Sequence, residues 1–196
     1  MLMTRADKSR LLYVLALLLV GSICLAVWWS LSFRSSVLIV MGLLLVIPGR
    51  LPTVFWREFY TGQQALRLGN HEMARANFAA FLEKVRAQPW LKRLMYLKWG
   101  VHTWDIEAMT LNNLGNTFVE NGEPEQAVRW YEEALAVDPE FGVAYANLAV
   151  VRYAHGDDAE ATQLLDHAHA LGNRRLTHAA ARERGAILRS MLESSK

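Results

Sequence analysis

A single cysteine, Cys24, stands in 196 residues, and it lies inside an apolar run. That excludes an intramolecular disulfide and a thiolate metal cluster, and leaves Cys24 as a small packing residue. Glycine-rich phosphate loops, a nucleophile elbow and paired carboxylates in an apolar cleft are missing as well, which removes the commonest enzymatic signatures. The histidines are His71, His102, His155, His167, His169 and His178. His167 and His169 are two apart on a helix and point in different directions, so they do not form a metal face as an i, i+4 pair would. No metal, no cofactor and no catalytic residue is expected, and the chain reads as non-enzymatic. Acid is scarce at one end. The first 57 residues carry one acidic group, Asp7, against six basic ones (Arg5, Lys8, Arg10, Arg34, Arg50 and Arg57), so of totals of 21 basic and 19 acidic groups the remainder holds 15 and 18. A mildly acidic remainder is a poor match to a phosphate backbone, and nucleic acid is not an expected partner.

The basic end is apolar between its charges. Leu11 to Leu31 is 21 residues without a charge, long enough at about 1.5 Å per residue to cross a hydrocarbon core of roughly 30 Å. A signal peptide would have a shorter apolar run and a small-residue cleavage site, whereas this run ends at Trp28–Trp29, a pair suited to a membrane interface. A second run, Val37 to Ile47, is extended by Ser35 and Ser36 before it and by Leu51, Val54, Phe55 and Trp56 beyond Pro48–Gly49–Arg50. Two runs joined by a tight loop predict a transmembrane helical hairpin, with spans over about 11–31 and 35–55 inside an anchor of 1–57. Three basic residues precede it and Arg50 and Arg57 follow it, so the positive-inside rule puts both ends in the cytoplasm. If only the first run crosses, residues 58–196 lie on the other side.

Beyond the anchor the chain repeats itself every 34 residues. Gly122, Ala127 and Ala134 recur as Gly156, Ala161 and Ala168, and Leu114 recurs as Leu148. This period marks stacked helix pairs that bury their apolar faces against their neighbours. Leu111, Leu114 and Phe118 form a helical stripe. Asn121–Gly122 ends that helix, Pro124 opens the next, and Asp138–Pro139 stops it. Gly115, Ala127 and Ala134 let the two helices approach closely around Phe118 and Tyr131.

The order Leu111, Leu114, Gly115, Phe118, Ala127, Tyr131, Ala134, Pro139 resembles a complete tetratricopeptide repeat. Tyr145, Leu148, Ala149, Ala161, Leu165 and Ala168 resemble a second, with Arg152 in place of an aromatic. Gly62, Gly69, Ala74 and Phe78 resemble an earlier copy, although Thr61 and Phe81 depart from the pattern, and about 19 extra residues separate it from the next. The fold expected is all-α: a transmembrane hairpin, then a short tetratricopeptide-like solenoid. Its repeats run over about 58–86, 108–141 and 142–173, with an insertion at about 87–107 and a capping helix over 175–193. Leu176, Ala180, Ile187, Leu188 and Met191 would face the stack, and Arg182, Glu183, Arg184 and Arg189 would face out.

The resemblance implies a concave face lined by the first helix of each pair, and maps it onto Met109, Asn112, Asn113, Asn116 and Glu120, then Val143, Ala146, Asn147, Val150 and Tyr153. Asparagine there would hold an extended peptide backbone, or instead would stabilise neighbouring repeats. No basic residue stands among these positions, so the carboxylate grip of some family members is not expected, and a neutral or apolar segment fits better. In the insertion, Trp90, Leu94, Leu97, Val101 and Trp104 are spaced 4, 3, 4 and 3, with Lys98 off that stripe. Such a helix would pack on the solenoid, or lie in the membrane interface with Lys98 at the headgroups. The function implied is a membrane-anchored scaffold binding a protein partner at the cytoplasmic face of a bacterial-type inner membrane. The alternative is a structural subunit that associates with a larger membrane complex through its hairpin.

Overall fold

The computed structural model describes residues 50–97, 103 and 105–194, with residues 11, 14–16, 18–23 and 26 near the start. From residue 57 onward seven α-helices follow one another among the described residues: α1 Arg57–Arg67, α2 His71–Ala87, α3 Ile106–Glu120, α4 Pro124–Val137, α5 Gly142–His155, α6 Asp158–Ala170 and α7 His178–Ser194. A 3₁₀ segment, Pro89–Leu97, lies between α2 and α3. Among the described residues there is no strand.

Local chemistry sets the helix ends. Asn70 accepts the Met73 N–H at 3.0 Å to open α2, and Asp105 accepts the Glu107 N–H at 2.7 Å to open α3. Gly122, at φ 76°, turns the chain out of α3 where a side chain would be strained. Proline at the start of α4 gives up an N–H that has no helical partner anyway.

The helices pack as antiparallel pairs, α1 with α2, α3 with α4 and α5 with α6, and each pair stacks on the next. Gly115 makes the second pair possible, since a Cβ there would stand 2.5 Å from the Tyr131 ring. The first pair uses the same device, a Cβ on Gly62 falling 2.8 Å from the Phe78 ring. Phe81, a departure from the repeat pattern, is buried in an aromatic cluster with ring centroids 5.5 Å from Phe59 and 6.4 Å from Trp56.

Trp56 moves a boundary. The sequence suggests that the second apolar run extends to residue 55, yet 50–55 are helical and Trp56 is 1% exposed in the core of the stack. Leu51 and Phe55 pack against that core, and Lys84 Nζ donates to the Phe55 carbonyl at 2.9 Å. Burying a side chain of this size stabilises by about 2–3 kcal/mol, so Trp56 is held by the helical stack. The rest of the second expected span lies outside the described residues, as does most of the first. Among the described residues no helix is long and apolar enough to cross a membrane.

The insertion packs on the solenoid, one of the two placements expected of it, but through a 3₁₀ segment at Pro89–Leu97 and not a regular helix. In that segment Leu91, Leu94 and Met95 are buried, in the core shared by the first two pairs, so Leu94 contacts protein there. Trp90 is 45% exposed and meets Phe55 edge-on at 5.1 Å. Leu97 closes the 3₁₀ segment, and Lys98, Val101 and Trp104 lie outside the described residues. Polar contacts hold the segment down. Glu107 sits between Lys92 at 2.6 Å and Arg86 at 2.7 Å, and Arg86 reaches Glu133 as well. Burial alone would push the Glu107 carboxyl up, but hydrogen bonds from Lys92 and Arg86 outweigh it and hold it below the usual carboxylate range.

Helix α7 does more than shield an open end. It lies chiefly along α5. The buried seam is Ala181, Gly185 and Leu188, spaced 4 and 3, whereas Ile187 and Met191, expected to face the stack, are 50% and 56% exposed. Arg189, expected to face solvent, turns inward and donates to the carbonyls of Tyr153 at 2.6 Å and Ala154 at 2.8 Å. Those are carbonyls of the last turn of α5, where a cation is favoured by the helix dipole.

Candidate functional site

The concave side of α3 and α5 is where helical pairing leaves side chains uncovered, and α7 crosses its far edge. Between them lies a cavity of about 620 Å³. Helix α3 supplies Asn116, Val119 and Glu120, and α5 supplies Asn147, Val150 and Val151. Tyr131 of α4 forms the back, His71 of α2 stands at one edge, and Arg184, Ile187, Leu188 and Met191 of α7 form the facing wall.

Four of the residues expected in a concave groove meet here: Asn116, Glu120, Asn147 and Val150. The other six do not. Met109 and Val143 are half-buried against the core of the first two pairs, and Asn112 and Asn113 are buried. Ala146 and Tyr153 are buried in the seam with Leu176 and Ala181 that joins α5, α6 and α7. Tyr153 is enclosed because α7 approaches it without a side chain in the way: a Cβ on Gly185 would lie 2.5 Å from the Tyr153 Cβ. Arg182 adds a guanidinium 5.4 Å from the Tyr153 ring.

The asparagines form a ladder between repeats. Asn147 Nδ2 donates to Asn112 Oδ1 at 2.8 Å and to Asn116 Oδ1 at 3.1 Å, and Asn116 Oδ1 also accepts the Tyr131 hydroxyl at 2.8 Å. Much of their capacity is thus spent on joining α3 to α5 and to α4. In this arrangement the bonds leave the Asn116 NH₂ and the Asn147 carbonyl unspent, and both residues line the cavity. A side-chain amide carries a donor and an acceptor, as a peptide unit does.

Charge at the rim is sparse. Glu120 lies 3.9 Å from His71 Nδ1. Partial burial raises the Glu120 carboxyl above its ordinary value, and His71 opposes that rise. Burial likewise pushes the Tyr131 phenol far up, so it serves as a neutral donor to Asn116. With Val119, Val150, Val151, Ile187 and Met191 around two amides, the site suits a mainly apolar ligand carrying at least one peptide-like group.

His71, Val119, Tyr131, Val151 and α7 were not expected here. Val119 was readable as the residue one turn beyond Asn116 on the same face. The α7 wall was not, because nothing in its own pattern says which helix it lies on.

Stacked antiparallel helix pairs with a cleft on the concave side are an architecture that many proteins use to bind other proteins. The tetratricopeptide repeat family matches residues 108–141, which are α3, α4 and the turn after them. That segment is a tetratricopeptide repeat, and repeats of this kind typically bind protein partners. No curated protein matches the chain.

Proposed function

We propose that this protein is a non-enzymatic scaffold, anchored in a membrane by its N-terminal apolar runs, that holds a neutral, largely apolar segment of a protein partner in the cavity between α3, α5 and α7. The observation that carries the reading is the cavity itself: a mainly apolar pocket lined by the side-chain amides of Asn116 and Asn147. A volume of about 620 Å³ holds a few side chains and a short length of backbone, not a folded domain. Binding of that size costs ordering entropy in the segment and favours modest, reversible affinity. Membrane anchoring draws support from the described residues between 11 and 26, all helical, whose large side chains Leu15, Leu18, Leu19 and Ile23 are each at least half exposed. Ser22 Oγ there donates to the Leu18 carbonyl at 2.8 Å, which satisfies its hydroxyl within the helix as an apolar solvent requires. We place the stack on the cytoplasmic side.

A photo-crosslinking residue at Ile187, on the cavity wall, should capture a protein partner in cells, and the same residue at Gln163, exposed on α6, should not. Val150→Arg, which fills and charges the cavity, should abolish the adduct while circular dichroism shows the helices intact. Equal capture from both positions, or capture indifferent to Val150→Arg, would remove the cavity as the binding site. A partner retained after deletion of residues 50–196 would point to the apolar N-terminus instead.

A further inference from the structure

The fold assembles three metal-ligating side chains that no spacing in the sequence brings together. Asp166 and His169 are three apart near the end of α6, so they share a face. His178, the first residue of α7, comes onto that face when the chain reverses through residues 171–177. One ligand-capable atom of each lies within 4.8 Å of the other two. His178 Nε2 is 3.0 Å from Asp166 Oδ1, and the His169 and His178 rings stand edge to face at 5.2 Å.

One nitrogen of His169 is already engaged, so Nδ1 is the one left to bind an ion. Its Nε2 is 2.7 Å from the Leu176 carbonyl, and since a carbonyl only accepts, the proton is on Nε2 and the lone pair on Nδ1. An imidazole that donates one N–H to a backbone carbonyl has its tautomer and ring direction fixed for coordination through the other nitrogen. The 3.0 Å between His178 Nε2 and Asp166 Oδ1 is close to the ligand–ligand edge of about 3.3 Å in a tetrahedral site with bonds of about 2.0 Å. An ion would take the place of the hydrogen bond between them, and the His178 proton would pass from Nε2 to Nδ1, leaving Nε2 to coordinate. Asp166 is 66% exposed, so its carboxylate is free to rotate and close the remaining spread.

We propose that Asp166, His169 and His178 form a binding site for a divalent cation of the zinc type, with water completing the coordination. Two imidazoles and a carboxylate suit Zn²⁺, Co²⁺ or Ni²⁺ better than Mg²⁺ or Ca²⁺, which prefer oxygen. The ion clamps the start of α7 to α6, at the end of α7 opposite to Arg189, and so fixes the helix that walls the cavity. The site stands independently of what the cavity binds.

The test uses the full chain in mild detergent with ZnCl₂ as probe and MgCl₂ as control. Zn²⁺ should bind at one equivalent and raise Tm, whereas Mg²⁺ should do neither. Co²⁺ should give visible ligand-field bands. Asp166→Asn, at an exposed position that does not threaten folding, and His178→Asn should each weaken Zn²⁺ binding by more than roughly tenfold and abolish the bands. His167→Ala, one residue from the site but on another face, should leave both unchanged. Zn²⁺ binding that survives Asp166→Asn and His178→Asn, or that is lost in His167→Ala instead, would overturn the site. So would a Tm that Zn²⁺ does not move.

Discussion

Two residues carry more of the stack than their size suggests. Gly115 is where α4 comes closest to α3, and an added methyl would meet the fully buried Tyr131 ring at 2.5 Å. The ring has no room to retreat, since its hydroxyl is held by Asn116. Gly115→Ala should therefore destabilise by about 1–3 kcal/mol, read as a lower urea midpoint, although alanine is the better helix former by about 1 kcal/mol. An unchanged midpoint would mean that the close approach is not needed. Glu107 is the second. Its carboxylate joins Arg86 of α2, Lys92 of the 3₁₀ segment and its own helix α3. Because Arg86 and Lys92 keep partial exposure, Glu107→Gln should cost about 1–2 kcal/mol and not the larger loss of a fully buried pair. The pH dependence has a definite sign. The folded carboxyl is held below its ordinary value, so its contribution is complete above about pH 4.3 and is lost as pH falls through the folded pKa. The stability gap between the native chain and Glu107→Gln should be widest near neutrality and should close in acid. A gap that widens below pH about 4 would contradict the assignment.

At the scale of elements, α7 is held by a narrow seam and two hydrogen bonds. A Cβ on Gly185 would stand 2.5 Å from the Tyr153 Cβ and 3.0 Å from the Ala154 nitrogen, so Gly185→Ala must push the helices apart. Arg189→Ala removes both donors to the end of α5 and should cost about 1–2 kcal/mol. Either change should speed amide exchange in α7 while α3 and α4 keep their protection, because α7 rests chiefly on α5 at the end of the stack and unfolds locally. Exchange raised equally across all helices would instead mean that α7 belongs to one cooperative unit with the stack. The contrast between α3–α4 and α7 also explains what was legible beforehand. The pair from Leu111 to Pro139 was readable because each small or aromatic residue meets a partner a fixed distance along the chain, and the same logic located the Gly62 and Phe78 pair. Asn116, Glu120, Asn147 and Val150 were placed on the concave face by the resemblance to the repeat family, together with six others that the cavity does not use. The seam of α7 was not: Arg189 and Met191 exchange their expected roles because α7 crosses α5 at Gly185, and a crossing point between distant elements leaves no periodic trace. Nor did spacing reveal that Glu107 is a junction, since its partners are 15 and 21 residues away.

For the whole molecule the uneven charge is the organising fact. Six of the first 57 residues are basic against one acid, while the remainder carries 15 basic and 18 acidic groups. The helical stack thus has no net positive charge to draw it to anionic lipid, and Lys92 is engaged by Asp105 and Glu107. On the proposed reading, closeness to a bilayer would come from the apolar runs that precede it. Their flanks would then set its side: Arg5, Lys8 and Arg10 stand before the first run and Arg50 and Arg57 after the second, with Arg34 alone between them. If both runs cross, each end of the hairpin is retained with the basic flanks in the cytoplasm. A fluorescent protein that matures only in the cytoplasm should therefore glow when fused after Lys196, and alkaline phosphatase at the same position should be inactive. Moving the phosphatase to a fusion after Arg34 should activate it. Active phosphatase after Lys196 would mean that a single run crosses, and would put the cavity and the proposed cation site on the far side of the membrane. Replacing Arg50 and Arg57 with Gln should leave the orientation in place, because the three basic residues at the N-terminus act first, whereas adding two lysines beside Arg34 should produce mixed orientations.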